Sequence, residues 1–218
     1  MLDQLENTSP KIFITGIGTD VGKTIASAIV VEALEADYFK PVQAGDLEYS
    51  DTDKVQELVM NSRSKFHENS YALHTPMSPH AAAAIDNIAI DIKEINIPQV
   101  DNPLVIEGAG GLLVPLNEEH TILDLIQPEY HVIVVSRHYL GSINHTLMTL
   151  HTLKEKGCKV SVIFNGEEHK TTERIITKMA DVSVIGRIDN EPYFDKSVVA
   201  EYADMFKENL LAMTQNNN

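Results

Sequence analysis

The stretch Ile12-Phe13-Ile14-Thr15-Gly16-Ile17-Gly18-Thr19-Asp20-Val21-Gly22-Lys23-Thr24 decides the fold. An apolar run, Ile12 to Ile14, leads into a glycine-bearing loop, and a helical pattern follows from Ile25 to Leu34. That order reads as strand, loop and helix. Backbone N–H groups in such a loop point inward and cradle phosphate oxygens, helped by the helix N-terminus. A lysine at position 23 reaches the β- and γ-phosphates, and a hydroxyl at position 24 coordinates Mg²⁺. The strict pattern G-x-x-x-x-G-K-[ST] asks for glycine at position 17, where Ile17 stands between Gly16 and Gly18. The loop is therefore a variant. A Gly-Lys-Thr triplet also arises by chance at helix starts, but its position directly behind an apolar strand favours nucleotide binding.

Working outward, apolar runs alternate with helical patterns along the chain. Strands are predicted at Lys11–Gly16, Tyr38–Val42, Leu104–Glu107, His131–Ser136, Val160–Asn165 and Ser183–Ile188. Several are continuous Val/Ile runs, as strands buried on both faces require. Helices are predicted at Lys23–Glu35, Asp53–Met60, Pro79–Ile85, Ile122–Ile126, Ser142–Lys156, Thr171–Ala180 and Lys196–Met213. The alternation implies an α/β fold: one P-loop NTPase-like domain, mainly a parallel sheet with helices on both faces. The domain is expected over 11–213, with a frayed extension at 1–10 and a disordered tail at 214–218. Ligands in such folds sit at the carboxyl ends of the strands. The polar segment between Val42 and Asp53 is expected to be part of the site.

Composition narrows the function classes. The chain has 218 residues, enough for one α/β domain with a full core. Its net charge of −15, with no Lys/Arg cluster, argues against a nucleic-acid partner. No apolar run is long enough to span a bilayer, and Met1–Pro10 is polar and acidic, unlike a secretory leader. Cys158 is the single cysteine, so no intrachain disulfide can form; a cytoplasmic location fits. It stands in the turn expected between a helix and a strand and is read as structural. The nine histidines lack metal-ligand spacing and are read as structural or surface residues.

Four further segments fall at predicted strand ends. Lys40-Pro41-Val42 ends one strand with a lysine held rigidly by proline; the same residues also suit a surface turn. Asp51-Thr52-Asp53 suits a helix N-cap, and equally a carboxylate opposite Thr24 that binds Mg²⁺. On spacing alone the cap is favoured. Glu107-Gly108-Ala109-Gly110-Gly111 puts a carboxylate and then a glycine turn after an apolar strand. That is where phosphate-loop proteins carry the acid that helps hold the metal. Leu140-Gly141-Ser142-Ile143-Asn144-His145 opens a helix whose free N–H groups suit a carboxylate, or merely a serine cap.

Taken in this order, together with Ser78-Pro79-His80, these segments resemble the dethiobiotin synthetases from Phe13 to Asn165. Members of that family are ATP-dependent ligases that carboxylate a diamine and close its ureido ring in biotin biosynthesis. The resemblance implies that Gly18, Thr19, Asp20, Val21, Gly22, Lys23, Thr24 and Ile25 hold ATP, with Asn165 facing the adenine. It implies Mg²⁺ at Thr24, Asp53 and Glu107. It implies catalytic roles for Lys23 and Lys40, the latter between the γ-phosphate and the diamine. The diamine end of 7,8-diaminononanoate would meet Thr19, Asp20, Lys40 and the amides of Gly108, Ala109, Gly110 and Gly111. Asn144 of a second subunit would hold the far carboxylate, so a homodimer with shared active sites follows. CO₂ is the co-substrate, giving first a carbamate and then a carbamic-phosphoric anhydride. The chain departs from the family pattern at Ala44, where Ser or Thr is common, and at Asp189, where Pro is common.

Partitioning-type ATPase switches share this fold class but carry a signature lysine at the position held here by Gly18. Amidoligases append a glutaminase domain that this length does not accommodate. A non-catalytic nucleotide-binding relative is the remaining alternative, and the joint presence of Lys23, Thr24, Asp53 and Glu107 speaks against it.

Overall fold

Residues 9–215 are described by the computed structural model of the chain. Strand β1 (Lys11–Gly16) is followed by α1 (Lys23–Leu34), β2 (Asp37–Phe39), β3 (Val42–Ala44) and α2 (Asp51–Leu58). Next come β4 (Phe66–His67), β5 (Tyr71–Leu73), α3 (Pro79–Asp86) and β6 (Leu104–Gly111). The chain ends with β7 (His131–Arg137), α4 (Ser142–Glu155), β8 (Lys159–Asn165), α5 (Lys170–Ala180), β9 (Ser183–Ile188) and α6 (Lys196–Gln215). Two short 3₁₀ turns, Ile92–Glu94 and Ile122–Leu125, complete it.

Seven strands form one parallel sheet in the order β4-β2-β6-β1-β7-β8-β9. Each central strand is buried on both faces, which is why it reads as an unbroken apolar run. Side-chain alternation sends Ile12, Ile14, Tyr38, Val105, Ile133 and Val135 to the face covered by α1 and α6. Phe13, Phe39, Leu104, Ile106, Val132 and Val134 go to the other face, under α3, α4 and α5. Helix α1 is wedged between sheet and α6, so residues around most of its circumference, Ala26 through Val31, are buried. Each of the buried side chains Ile29, Val30 and Val31 contributes about 1.5–3 kcal/mol relative to exposure, an upper bound for a compact unfolded state.

The expected strand Tyr38–Val42 is two strands in two sheets. β2 stays in the main sheet, while β3 pairs with β5 in a separate two-stranded parallel sheet. The break falls at Lys40-Pro41. Proline has no N–H for a ladder, and the Lys40 carbonyl is taken by Asn69 Nδ2 at 2.7 Å. The chain leaves the sheet there and lifts Lys40 to its upper edge. Helix α2 begins earlier than expected because Ser50, not an aspartate, is its N-cap.

Of the expected N-terminal extension, Ser9 and Pro10 are tied down: the Pro10 carbonyl accepts from Leu104 N–H at 2.9 Å, and Ser9 Oγ donates to the Asp101 carbonyl at 2.6 Å. Residues 1–8 lie outside the described residues. Helix α6 continues through Gln215, past the expected end at Met213, and 216–218 again lie outside. Among the described residues no helix is long and apolar enough to cross a membrane.

Candidate active site

The carboxyl ends of β1, β6 and β2 meet at the start of α1. Period-two alternation puts Tyr38 and Lys40 on the same face as Val105 and Glu107, the face that α1 covers. Thr24, in the first turn of α1, stands directly over them. Glu107 is 1% exposed and accepts three hydrogen bonds. Thr24 Oγ1 donates to its Oε1 at 3.1 Å, Lys40 Nζ to the same oxygen at 3.0 Å, and the Tyr38 hydroxyl to Oε2 at 2.9 Å. Lys40 Nζ also pairs with Asp51 Oδ2 at 2.6 Å.

These ionisations depend on one another. Burial opposes the charge on Lys40, but Glu107 and Asp51 outweigh it and hold the ammonium pKa above its usual value. Burial likewise opposes the charge on Asp51, and Lys40, with Lys54, holds that carboxyl below the usual range. Removing either partner strands a buried charge, which typically costs about 3–5 kcal/mol. Lys23 differs. Burial lowers its pKa, with Glu107 only partly compensating. Its Nζ donates to the Gly18 carbonyl at 2.9 Å, so the loop lysine is folded back on its own backbone.

The loop needs its last glycine. Gly22 has φ +92°, and a Cβ there would lie 2.3 Å from Asn165 Nδ2. Asn165, at the end of β8, donates that Nδ2 to the Val21 carbonyl at 2.8 Å. Asn165 therefore buttresses the loop. On the other flank, Arg137 donates to the Asp20 carbonyl at 3.1 Å, where Asp20 has φ +54°.

A cavity of about 970 Å³ opens over this cluster. Of the residues expected at a site, Thr19, Asp20, Gly22, Lys23, Thr24, Ile25, Lys40, Glu107, Ala109 and Gly110 line it. Gly18, Val21, Gly108, Gly111 and Asn165 do not. Val21 is buried, Gly108 lies against Phe13 and Ile122, and Gly111 runs beside Gly16 and Gly18. Asn144 is exposed on α4, away from this cavity, with its Nδ2 3.4 Å from Met148 Sδ.

Asp53 is turned away from the cavity. Its Oδ2 accepts from Ser50 N–H at 2.8 Å and Ser50 Oγ at 2.6 Å, and those bonds hold its pKa below the usual range. The acid that reaches the site is Asp51, two residues earlier. The signal that could have found it is the capping box: with Ser50 as N-cap, the residue three positions on is committed to the cap. Tyr38, whose hydroxyl reaches Glu107, reads in the sequence as a core tyrosine of a buried strand.

A family model described as an AAA domain matches residues 10–198. The dethiobiotin synthetase of Christiangramia forsetii is 61% identical over 91% of this chain and 96% of its own. That of Cytophaga hutchinsonii is 46% identical over 88% and 95%. The chain belongs to the dethiobiotin synthetase family. It is thereby an ATP-dependent ligase of biotin biosynthesis. Two solved structures share the fold at low identity. The MinD cell-division ATPase of Pyrococcus furiosus has TM-score 0.53 and 12% identity, covering 92% of this chain and 99% of its own. A Borrelia burgdorferi plasmid partition protein has TM-score 0.56 and 13% identity, covering 94% and 100%. The chain therefore shares the α/β fold of these two proteins, a mainly parallel sheet with helices on both faces.

Proposed function

We propose that the chain carboxylates 7,8-diaminononanoate with CO₂ and closes the ring at the expense of ATP, releasing dethiobiotin, ADP and phosphate. The observation that carries this reading is Lys40, buried between Glu107 and Asp51 at the mouth of the phosphate loop. An amine of the substrate adds to CO₂ and loses a proton, giving a carbamate. A carbamate oxygen attacks the γ-phosphorus and the bond to ADP breaks. The second amine then attacks the carbonyl carbon, and phosphate leaves with the electrons of the C–O bond. None of these steps needs a protein nucleophile; they need positioning and charge neutralisation.

Lys23 and the amides from Gly18 to Thr24 hold the phosphates, with Ile25 beside them and Asn165 behind the loop toward the base. Lys40 neutralises charge between the γ-phosphate and the carbamate. Thr19, Asp20 and the Gly108–Gly111 segment position the diamine end. Mg²⁺ fits the donor set: Thr24, Glu107 and Asp51 offer hard oxygens, and the Lys40 ammonium already bridges the two carboxylates as a cation. When bound, the metal would draw charge from the transferring phosphoryl group. Asp53 stays in the reading only as a group acting through water or after rearrangement of its cap.

The far carboxylate is read as held by Asn144 and the start of α4 from the second subunit of a homodimer. Leu140, Ile143 and Met148 are exposed around Asn144, an apolar surface that a second copy would cover. The enzyme is read as cytoplasmic, without nucleic-acid or membrane partners. The deciding experiment is phosphate release from ATP with Mg²⁺ and bicarbonate, with and without 7,8-diaminononanoate. Release that requires the diamine and yields dethiobiotin supports the reading; diamine-independent hydrolysis overturns it.

A further inference from the structure

Glu107 has three donors, and two of them have other work. Thr24 Oγ1 and Lys40 Nζ both line the cavity, and each must turn toward phosphate or metal when the site fills. Tyr38 does not line the cavity. Its side chain is 0% exposed, and its hydroxyl donates to Glu107 Oε2 at 2.9 Å. It is anchored on the far side by β4, where its ring lies 6.3 Å from that of Phe66.

We infer that Tyr38 is a positioning residue: its hydroxyl pins Glu107 Oε2, so that Oε1 keeps its aim into the cavity when Thr24 and Lys40 let go. The inference rests on the reading of Glu107 as a metal ligand. The physics is that of outer-shell support. A buried carboxylate with one oxygen unsatisfied is free to rotate toward any remaining donor, and a ligand that rotates binds its metal less tightly. Tyr38 is suited to hold it because a phenol on a packed ring has only two torsions, both fixed here by the core.

The test is Mn²⁺ binding in the presence of ADP, read by electron paramagnetic resonance. Four proteins are compared: wild type, Tyr38→Phe, Glu107→Gln and Phe66→Leu. Tyr38→Phe keeps the ring and removes one oxygen, and should weaken Mn²⁺ binding by about tenfold, the lower end for outer-shell partners. Its metal-free affinity for ADP should stay unchanged. In turnover, the Mg²⁺ activation midpoint should rise by a similar factor, with kcat recovered at saturating Mg²⁺. Phe66→Leu loosens the same core without touching the hydroxyl, and should lower Tm while leaving Mn²⁺ binding intact. If Glu107→Gln binds Mn²⁺ like wild type, Glu107 is no ligand and both readings fall. If Glu107→Gln is weakened and Tyr38→Phe is not, only the role of Tyr38 falls. If Phe66→Leu weakens the metal as much as Tyr38→Phe, or if Tyr38→Phe does not fold, the hydroxyl serves packing and the inference is overturned.

Discussion

Strand β2 is three residues long, and a buried carboxylate lies near each of its ends, one its own and one on the neighbouring β6. At its lower end Asp37 is 1% exposed; at its upper end Glu107, on the neighbouring β6, is also 1% exposed. The two are satisfied in different ways. Asp37 Oδ1 accepts from Lys65 N–H at 3.1 Å and Asn102 Nδ2 at 2.9 Å, and Oδ2 faces His67 Nε2 at 3.2 Å. Two of those donors are neutral amides fixed by the fold. Glu107 is held by a threonine hydroxyl, a lysine and a tyrosine, two of which line a large cavity. A carboxylate held by immobile neutral donors contributes stability. One held by donors that a ligand can claim is poised for exchange. A smaller cavity of about 480 Å³ also opens beside Asp37, Lys65, His67 and Asn102, so it is the kind of donor rather than access that separates the two ends. We assign the chemistry to the upper edge and stability to the lower one, and each assignment can be broken by substitution.

The largest effect is expected at Lys23. Among the described residues its side chain bonds only the Gly18 carbonyl, so Lys23→Ala should fold normally. Turnover should fall on the order of 10³-fold, the loss typical of removing a charge-stabilising donor. Turnover near wild type would detach the loop from catalysis. Next is Lys40→Gln, which should lower kcat on the order of 10²-fold while changing ATP affinity by only a few-fold, because its contacts strengthen in the transition state. Equal losses in both constants would reduce Lys40 to a ground-state contact.

The two aspartates of α2 sharpen the comparison further. Asp51→Asn should raise the Mg²⁺ activation midpoint roughly tenfold. Asp53→Ala should leave that midpoint alone and cost about 0.5–1 kcal/mol of stability through the lost cap. A reversal of the two results would return the metal role to Asp53. At the lower edge, Asp37→Ala strands the Lys65 and Asn102 donors and should cost about 2–3 kcal/mol in urea unfolding, with kcat/KM unchanged. A catalytic defect there, in protein that is fully folded, would erase the distinction between the edges.

The same division governs what could be read from the sequence. Strand β1, the glycine loop and α1 are legible because both-face burial demands an unbroken apolar run and the loop demands Gly22. Within the Asp51-Thr52-Asp53 triplet, spacing does not say which carboxylate faces the cavity, since that depends on where the helix starts, and Ser50 caps it with Asp53 engaged in the capping box. Strands β3, β4 and β5 have two or three residues each, too few to show a period. The hydroxyl of Tyr38 is invisible to hydropathy, because only the fold reveals that Glu107 is within its reach.

The smallest effect concerns His131, at the lower edge where β7 begins. Burial, followed by the charge of Lys159, lowers its pKa to about 4, and its Nε2 lies 3.1 Å from Ser161 Oγ. The native state therefore keeps the imidazole neutral, whereas the unfolded chain takes up a proton below about pH 6.5. Because the unfolded state binds the extra proton, stability is complete above pH 6.5 and declines as pH falls toward 4, below which this group contributes no further change. At pH 5 the loss should be on the order of 1–2 kcal/mol. His131→Gln keeps a polar side chain beside Ser161 and cannot titrate. Its urea midpoint should fall less than that of wild type between pH 7.5 and pH 5, while the pH profile of kcat stays the same in both proteins. Parallel midpoints would mean that His131 is already solvated in the fold. A shifted kcat profile would mean that the lower edge communicates with the site, and that the two ends of the sheet are not independent.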